Sequence, residues 1–212
     1  MLVTRPRREA GAWVEALRHQ GVDAQALPLI GIGAAPDPAA LAAARARWRE
    51  FDVLMFVSAN AVNGFFDASL GTPGERIGGT TRFWSTGPGT RQALVAAGVD
   101  PQQIDSPPPE SGRFDSEALW EQVQPHLAPG ARVLIVRGAG SDGAPAGRDW
   151  LARQLGAAGA QVSTIASYQR ALPRWDADAL GRGRAASGDG SWWLFSSSEA
   201  VGNLRQLLPG QG

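Results

Sequence analysis

The chain has 212 residues, of which 43% are hydrophobic and 19% are charged, as in ordinary globular proteins. Its 20 basic and 20 acidic residues cancel, which argues against a nucleic-acid surface or a polybasic membrane patch. The absence of cysteine and lysine excludes disulfides, thiolate chemistry, a Schiff-base lysine and a P-loop lysine. With no apolar stretch of the ~18 residues that a membrane helix needs, and no visible signal peptide, we expect a cytoplasmic protein.

Taken in chain order, apolar runs bounded by turn residues predict strands at 2–5, 53–57, 81–85, 103–106, 132–137, 161–168 and 192–195, with 22–32 extended. The segments between them predict helices at 9–20, 38–49, 60–68, 90–97, 116–126, 148–155 and 199–208, a loop at 71–79, and only partial helix at 179–188. Asp37 and Asp115 fit helix N-caps, and Gly21 and Gly98 fit helix C-termini. This alternation predicts an α/β fold with parallel sheets, whose ligands lie beyond the carboxyl ends of the strands.

One strand–turn–helix segment occurs twice, as FDVLMFVSANAVNGFF and as SWWLFSSSEAVGNLRQLL. When Phe56 is aligned with Phe195, Ser58 falls on Ser197 without a gap. Each serine follows a strand and begins a helix, where backbone N–H groups are free to bind an anion. The repeat therefore predicts two similar lobes that bind one ligand. A purely structural helix cap is the alternative for each serine, but the repetition at the same strand end favours ligand contact for at least one copy.

The repeat extends beyond the serine turns. LVTRP resembles LIVRG, which places Arg5 on Arg137, and the helices that follow also correspond. The first copy continues into RFWSTGPGTRQALVAAGV, for which the second copy has no counterpart. We therefore expect the second lobe to be incomplete at its C-terminus, and we expect weak activity and lower stability as a result.

A further candidate for an anion-binding turn is the sequence STGPGT, which follows a strand and opens a helix. Gly87 allows a close backbone approach, and the hydroxyl of Thr90 can either cap the helix or bind a ligand. The pattern leaves these two alternatives open.

The glycines at 138, 140 and 143 match a GxGxxG dinucleotide fingerprint between a strand and a helix. Such a fingerprint requires an acidic residue at the end of the next strand, and residues 161–168 contain none. We therefore favour a plain loop or a backbone anion nest over a nucleotide-dependent enzyme.

Tyr168 is the only tyrosine in the chain and ends a predicted strand. Its phenol can donate a proton or a hydrogen bond to a leaving hydroxyl, or it can simply pack a hinge. His19 and His126 lie far apart without metal-ligand spacing, so we interpret both as surface or packing residues.

Taken together, VTRP, VSANAV, STGPGTRQALVAAG, VLIVRG, ASYQRALP and FSSSEAVGNL resemble, in this order, the uroporphyrinogen-III synthase family. The resemblance implies an α/β fold of two parallel-sheet, flavodoxin-like lobes joined by a two-stranded linker. One lobe would comprise 1–33 and 170–212, the other 37–166, with connections at 26–36 and 166–175.

The resemblance also implies the reaction. The family cyclises hydroxymethylbilane to uroporphyrinogen III with loss of water and inversion of ring D, without a metal or organic cofactor. Tyr168 would assist departure of the hydroxyl group. Because the substrate carries eight carboxylates and this chain is neutral, local donors would bind it, namely Arg5, Ser58, Asn60, Gly87, Thr90, Arg137, Gly138, Ser197 and Ser198.

For partners, the resemblance implies a linear tetrapyrrole, possible hand-over from the upstream deaminase, no nucleic acid, no membrane and a monomer. The alternative is a non-catalytic ligand-binding or regulatory module that has kept the bilobed fold. Fold alone does not distinguish the two.

Overall fold

The computed structural model describes residues 1–66, 77, 79–140, 143 and 149–210. Within these residues the strands are β1 (Leu2–Val3), β2 (Gln25–Ala26), β3 (Gly31–Gly33), β4 (Val53–Phe56), β5 (Arg82–Ser85), β6 (Ile104–Asp105), β7 (Arg132–Ala139), β8 (Gln161–Ala171) and β9 (Trp193–Leu194). The α-helices are α1 (Arg7–His19), α2 (Pro38–Ala46), α3 (Ala59–Phe65), α4 (Pro88–Ala96), α5 (Ser116–Val123), α6 (Trp150–Ala157), α7 (Ala177–Ala186) and α8 (Ser198–Leu207). None of the described helices is long and apolar enough to cross a membrane.

The α/β class with parallel sheets is confirmed. Contacts divide the chain into two compact units, with unit 1 formed by Met1–Gly33 and Arg170–Gly212 and unit 2 by Ala34–Gln169. The predicted lobes, their linker and the incomplete end of one lobe stay predictions. The loop expected at 71–79 lies mostly outside the described residues.

Unit 2 is built on parallel strands in the order β8-β7-β4-β5-β6. Val53 of β4 pairs with Val133 of β7 and with Arg82 of β5, which places β4 at the centre. Alternate residues of the central strands face opposite sides of a sheet. Leu54 and Phe56 enter a core that includes α3 and α4, whereas Val53 enters a core that includes α5 and α6. Helices thus cover both faces, as in doubly wound folds.

Unit 1 contains a smaller parallel sheet in the order β2-β1-β9. Val3 of β1 is fully buried and packs with α1, whereas Leu2 packs with α7. Strand β3 comes next to β8 in the order of the larger sheet, and the last two residues of β8 belong to unit 1 like β3 itself.

Apart from shifts at the ends of several elements, two predicted segments differ from the structure. Residues 179–188 were expected to be helical only in part, but α7 is a continuous helix whose N-cap, Asp176, accepts the N–H of Ala179 at 2.8 Å. Its Gly183 makes room for Trp175, because a Cβ there would lie 2.5 Å from the indole ring. The second difference is Gly138, which was expected to begin a turn and instead lies within β7.

Candidate functional site

In unit 2 the carboxyl ends of four parallel strands lie side by side and carry most of the predicted site residues. Ser58 follows β4, Gly87 follows β5, Gly138 lies near the end of β7 and Tyr168 lies near the end of β8. Neighbouring strands run in the same direction, so their ends meet at one edge of the sheet. This edge of the sheet is the candidate active site.

Ser58 is the N-cap of α3. Its backbone is extended, with φ −163°, and its hydroxyl accepts the N–H of Ala61 at 3.1 Å. One of the free N–H groups of the first helical turn is satisfied in this way, while the positive end of the helix dipole remains at the sheet edge. Asn60, in the same turn, is buried.

The hydroxyl of Tyr168 lies 3.3 Å from the hydroxyl of Ser58, although the two residues are far apart in sequence. This distance is longer than the usual ~2.7–2.8 Å of an O–H···O hydrogen bond. Because the two oxygens share one hydrogen bond, one of the two hydroxyl protons remains available to another acceptor. The pair can therefore donate a proton or a hydrogen bond at the N-terminus of α3.

Tyr168 is only 5% exposed, and its ring belongs to the core cluster that contains Phe56 and Phe65. The ring is thus held by packing, and its hydroxyl end reaches the sheet edge. The ring is packed in the core of unit 2, whereas packing of a hinge and a chemical role both stay predictions.

A second helix N-terminus lies beside the first. Gly87 is the N-cap of α4 and provides no side-chain cap. Thr90, in the first turn, is 6% exposed, and among the described residues its hydroxyl has no hydrogen-bond partner. Phe114 covers Gly87, since a Cβ there would lie 3.2 Å from the Cβ of Phe114. Thr90 does not cap α4, and ligand binding by its hydroxyl stays a prediction.

Arg137 is 7% exposed, and both of its terminal nitrogens donate to one carboxylate oxygen of Asp149, at 2.9 and 2.5 Å. Its Nε is buried and has no hydrogen-bond partner among the described residues. Asp149 precedes α6 but does not cap it with its side chain. This partner could not be predicted from the sequence, because nothing in the pattern links positions 137 and 149.

The other predicted residues lie in unit 1. Arg5 pairs with Glu9 at 3.0 Å and lies over the ring of Trp13. Ser197 is the N-cap of α8 and accepts the N–H of Ala200 at 3.3 Å, and Ser198 is the first residue of that helix. Arg5 thus lies just before the N-cap of α1, and Ser197 and Ser198 begin α8, all in unit 1.

The structure argues against the dinucleotide fingerprint. A fingerprint glycine at 138 would lie in the tight turn after the strand, but Gly138 pairs with Tyr168 inside the sheet. Among the described residues, no group of three or more His, Cys, Asp or Glu side chains could hold a metal ion. His19 and His126 are both exposed.

Comparison with known proteins gives a consistent result. The family model described as "Uroporphyrinogen-III synthase HemD" matches residues 11–212. The uroporphyrinogen-III synthase of Salmonella typhimurium is 34% identical over 177 residues, which cover 83% of this chain and 67% of the relative. A mutant uroporphyrinogen III synthase from the extremely thermophilic bacterium Thermus thermophilus has a similar fold, with a TM-score of 0.53 and 16% identity over 99% of this chain and 77% of the other. The wild-type Thermus enzyme in another crystal form gives a TM-score of 0.46 and 15% identity, over 98% of this chain and 76% of the other.

Proposed function

The chain belongs to the uroporphyrinogen-III synthase family, and we propose that it cyclises hydroxymethylbilane to uroporphyrinogen III, with loss of water and inversion of ring D. The observation that carries this proposal is the family match over residues 11–212. It is supported by the tyrosine and serine hydroxyls that lie together at the N-terminus of α3.

In the proposed reaction, Tyr168 donates a hydrogen bond or a proton to the hydroxyl group that leaves hydroxymethylbilane. Departure of this group, as water once protonated, generates an electrophilic azafulvene. Ring D then attacks through its substituted position and forms a spiro intermediate, whose rearrangement inverts the ring. The Ser58–Tyr168 pair supports this role because one of its two hydroxyl protons has no acceptor among the described residues.

The substrate carboxylates would be bound by several weak donors acting together. The first turns of α3 and α4 provide backbone N–H groups, and the Thr90 hydroxyl adds a donor without a partner among the described residues. Each neutral hydrogen bond contributes only ~0.5–1.5 kcal/mol. Holding the flexible substrate folded is mainly an effect of orientation, which favours attack by the inverted ring over direct closure.

Arg137 is less available to bind a substrate carboxylate than the sequence alone suggested. Its guanidinium is already paired with Asp149, so a substrate carboxylate would have to share or displace that partner. Arg5, Ser197 and Ser198 stay predicted substrate contacts, as do Asn60 and Gly87.

A coupled synthase assay tests the proposal. Hydroxymethylbilane is supplied by the deaminase, the products are oxidised, and the type I and type III isomers are separated. We expect more type III isomer than in a blank without this chain. Type I isomer alone would refute the proposed activity and favour a non-catalytic binding module.

The Tyr168→Phe variant tests the role of the hydroxyl, because it keeps the buried ring. We expect kcat to fall on the order of 10²-fold, the lower end for a general acid, with an unchanged melting temperature. An unchanged kcat would reduce Tyr168 to a packing residue without affecting the assignment of the reaction.

We also propose that the protein acts as a cytoplasmic monomer that receives its substrate from the upstream deaminase. The cysteine-free composition supports the cytoplasmic location, because disulfides are rare in that compartment. Direct hand-over would suit a substrate that closes spontaneously to the wrong isomer. Light scattering tests the monomer, fractionation tests the compartment, and an excess of inactive deaminase should slow the reaction if hand-over occurs.

A further inference from the structure

The register between β7 and β8 shifts by one residue at the end of the sheet. Arg137 pairs with Ala166, but the next residue, Gly138, pairs with Tyr168. Ser167 is therefore an extra residue on β8, which is the pattern of a β-bulge. Such bulges change the direction of nearby side chains. The residue after this bulge is Tyr168, the only tyrosine of the sequence.

Gly138 provides the surface against which the tyrosine lies. A Cβ at this position would be 2.4 Å from Cζ of Tyr168 and 2.8 Å from both Cε2 and the hydroxyl oxygen. The backbone of Gly138 is not left-handed, so its conformation would accept an alanine. The obstacle to a side chain is the hydroxyl end of the tyrosine ring itself.

The extra residue of the bulge, Ser167, is in turn held against α3. Ser167 is buried, and its hydroxyl donates to the carbonyl oxygen of Ala61 at 2.9 Å. Gly64, one turn further along α3, lets the helix approach closely, since a Cβ there would lie 2.5 Å from the carbonyl oxygen of Ser167. The helix that carries Ser58 at its N-cap is thus in direct contact with the residue before Tyr168.

We propose that Gly138 is a positioning residue for catalysis, which together with Ser167 and Gly64 holds the hydroxyl of Tyr168 at the N-terminus of α3. This inference rests on the proposed synthase function. It gives Gly138 a different role from the substrate contact expected from the sequence, because the space beside its Cα is filled by the tyrosine.

The single tyrosine makes the proposal directly measurable. Protein labelled with 3-fluorotyrosine has one ¹⁹F resonance, which reports the surroundings of Tyr168 without substrate. We expect Gly138→Ala to shift or broaden this resonance. Gly156→Ala, in α6, is the matched control because an added Cβ there meets no atom within 4 Å. Its resonance should stay at the wild-type position.

Kinetics then separates positioning from substrate contact. In Gly138→Ala we expect kcat to fall on the order of 10²-fold with a nearly unchanged KM, as for displacement of a reacting group by about 1 Å. Combining it with Tyr168→Phe should cost little more than Tyr168→Phe alone, because both remove the same hydroxyl from its position.

Several outcomes would overturn the inference. These are an unchanged ¹⁹F resonance in Gly138→Ala, a loss that appears in KM alone, or independent losses that multiply in the double variant. If Gly138→Ala does not fold, Ser167→Ala replaces it, and an unchanged resonance in that variant refutes the positioning. Because the resonance is read without turnover, a chain without synthase activity would refute the proposed function while the positioning itself is still measured.

Discussion

The two serine turns have the same local structure in very different surroundings. Ser58 and Ser197 have backbone angles within about 10° of each other, and each accepts the N–H of the alanine three residues later. Their aligned partners, however, differ in burial. Phe56 is fully buried, whereas Phe195 is 36% exposed, and Val62 is likewise buried where its counterpart is exposed.

The position of each strand in its sheet explains this difference. Strand β4 pairs with β5 and β7 and is covered on both faces, whereas β9, in the part of the chain that is described, pairs with β1 alone. The local sequence therefore determines the helix cap, whereas the neighbouring strands and helices determine how deeply the turn is buried. Two identical turns also do not make two equal sites, because a tyrosine hydroxyl lies next to Ser58.

The largest expected difference concerns the aligned phenylalanines. Phe56→Ala should lower the free energy of unfolding by about 3–5 kcal/mol, because it leaves a cavity in the core. Phe195→Ala should cost only about 1 kcal/mol, from lost stacking on Trp193 at 6.1 Å and partial burial. Urea unfolding of both variants measures the two values. Equal losses would mean that burial does not distinguish the two copies.

The next difference concerns Gly64 and Asn203, which are aligned within the two helices. Gly64→Ala should cost about 1–3 kcal/mol, because the added Cβ would meet the Ser167 backbone. Asn203→Ala should cost about 1–2 kcal/mol, because its buried hydrogen bond to the carbonyl of Leu29, 2.7 Å long, is lost. Thermal unfolding checks both. Exposed Gly202→Ala is the control, and a neutral Gly64→Ala would contradict the close helix approach.

The caps themselves should behave alike. Ser58→Ala and Ser197→Ala should each lower stability by about 1 kcal/mol, because each removes one acceptor from a helix N-terminus. Aspartate at either position should restore most of the loss. Denaturant unfolding of the four variants measures this, and losses differing by more than about 1 kcal/mol would show that burial affects the caps as well.

The smallest effect is expected in acid. Hydrogen bonds from Arg47 and then Arg132 lower the pKa of Glu50 in unit 2 to about 2, from an ordinary 4.5. In unit 1, hydrogen bonding by Ser191 lowers the pKa of Asp189. A carboxyl group whose pKa is lowered by folding stabilises the fold at any pH above its ordinary pKa. This contribution is lost as the pH falls from the ordinary pKa to the lowered pKa.

We therefore expect Glu50→Gln to flatten the decline of the melting temperature between pH 4.5 and 2. Asp189→Asn should also make the decline of the melting temperature in acid less steep. Melting curves at several pH values compare the two variants with the parent. A curve for Glu50→Gln parallel to that of the parent would contradict the lowered pKa.

Much of the fold could be predicted because its signals are local. The side chains of Asp37 and Asp115 accept the expected N–H groups at their helix starts. Gly21 and Gly98 have the left-handed backbone that ends a helix. Strand β8 continues to Ala171, beyond the predicted end at Tyr168, because pairing with neighbouring strands determines its length.

The candidate site was predicted less completely, because its contacts join distant positions. The sequence placed Ser58 and Tyr168 each at the end of a strand, but it did not indicate that their hydroxyls would meet or that a glycine in β7 would lie under the tyrosine ring. Asp149 was missed as the partner of Arg137 for the same reason. Pairing across a sheet and ring packing depend on register, which no short motif encodes.

The discontinuous composition of unit 1 has a consequence for synthesis of the chain. Strand β1 leaves the ribosome well before β9, yet the backbone bonds of Leu2 and Thr4 require residues 192 and 194. At about 5–20 residues per second, β1 waits roughly ten seconds or longer for β9. Unit 2 is continuous and can complete its core during that interval, so we expect protease resistance in stalled nascent chains to appear there first. Strand β1 is thus made early but completes its backbone hydrogen bonds late.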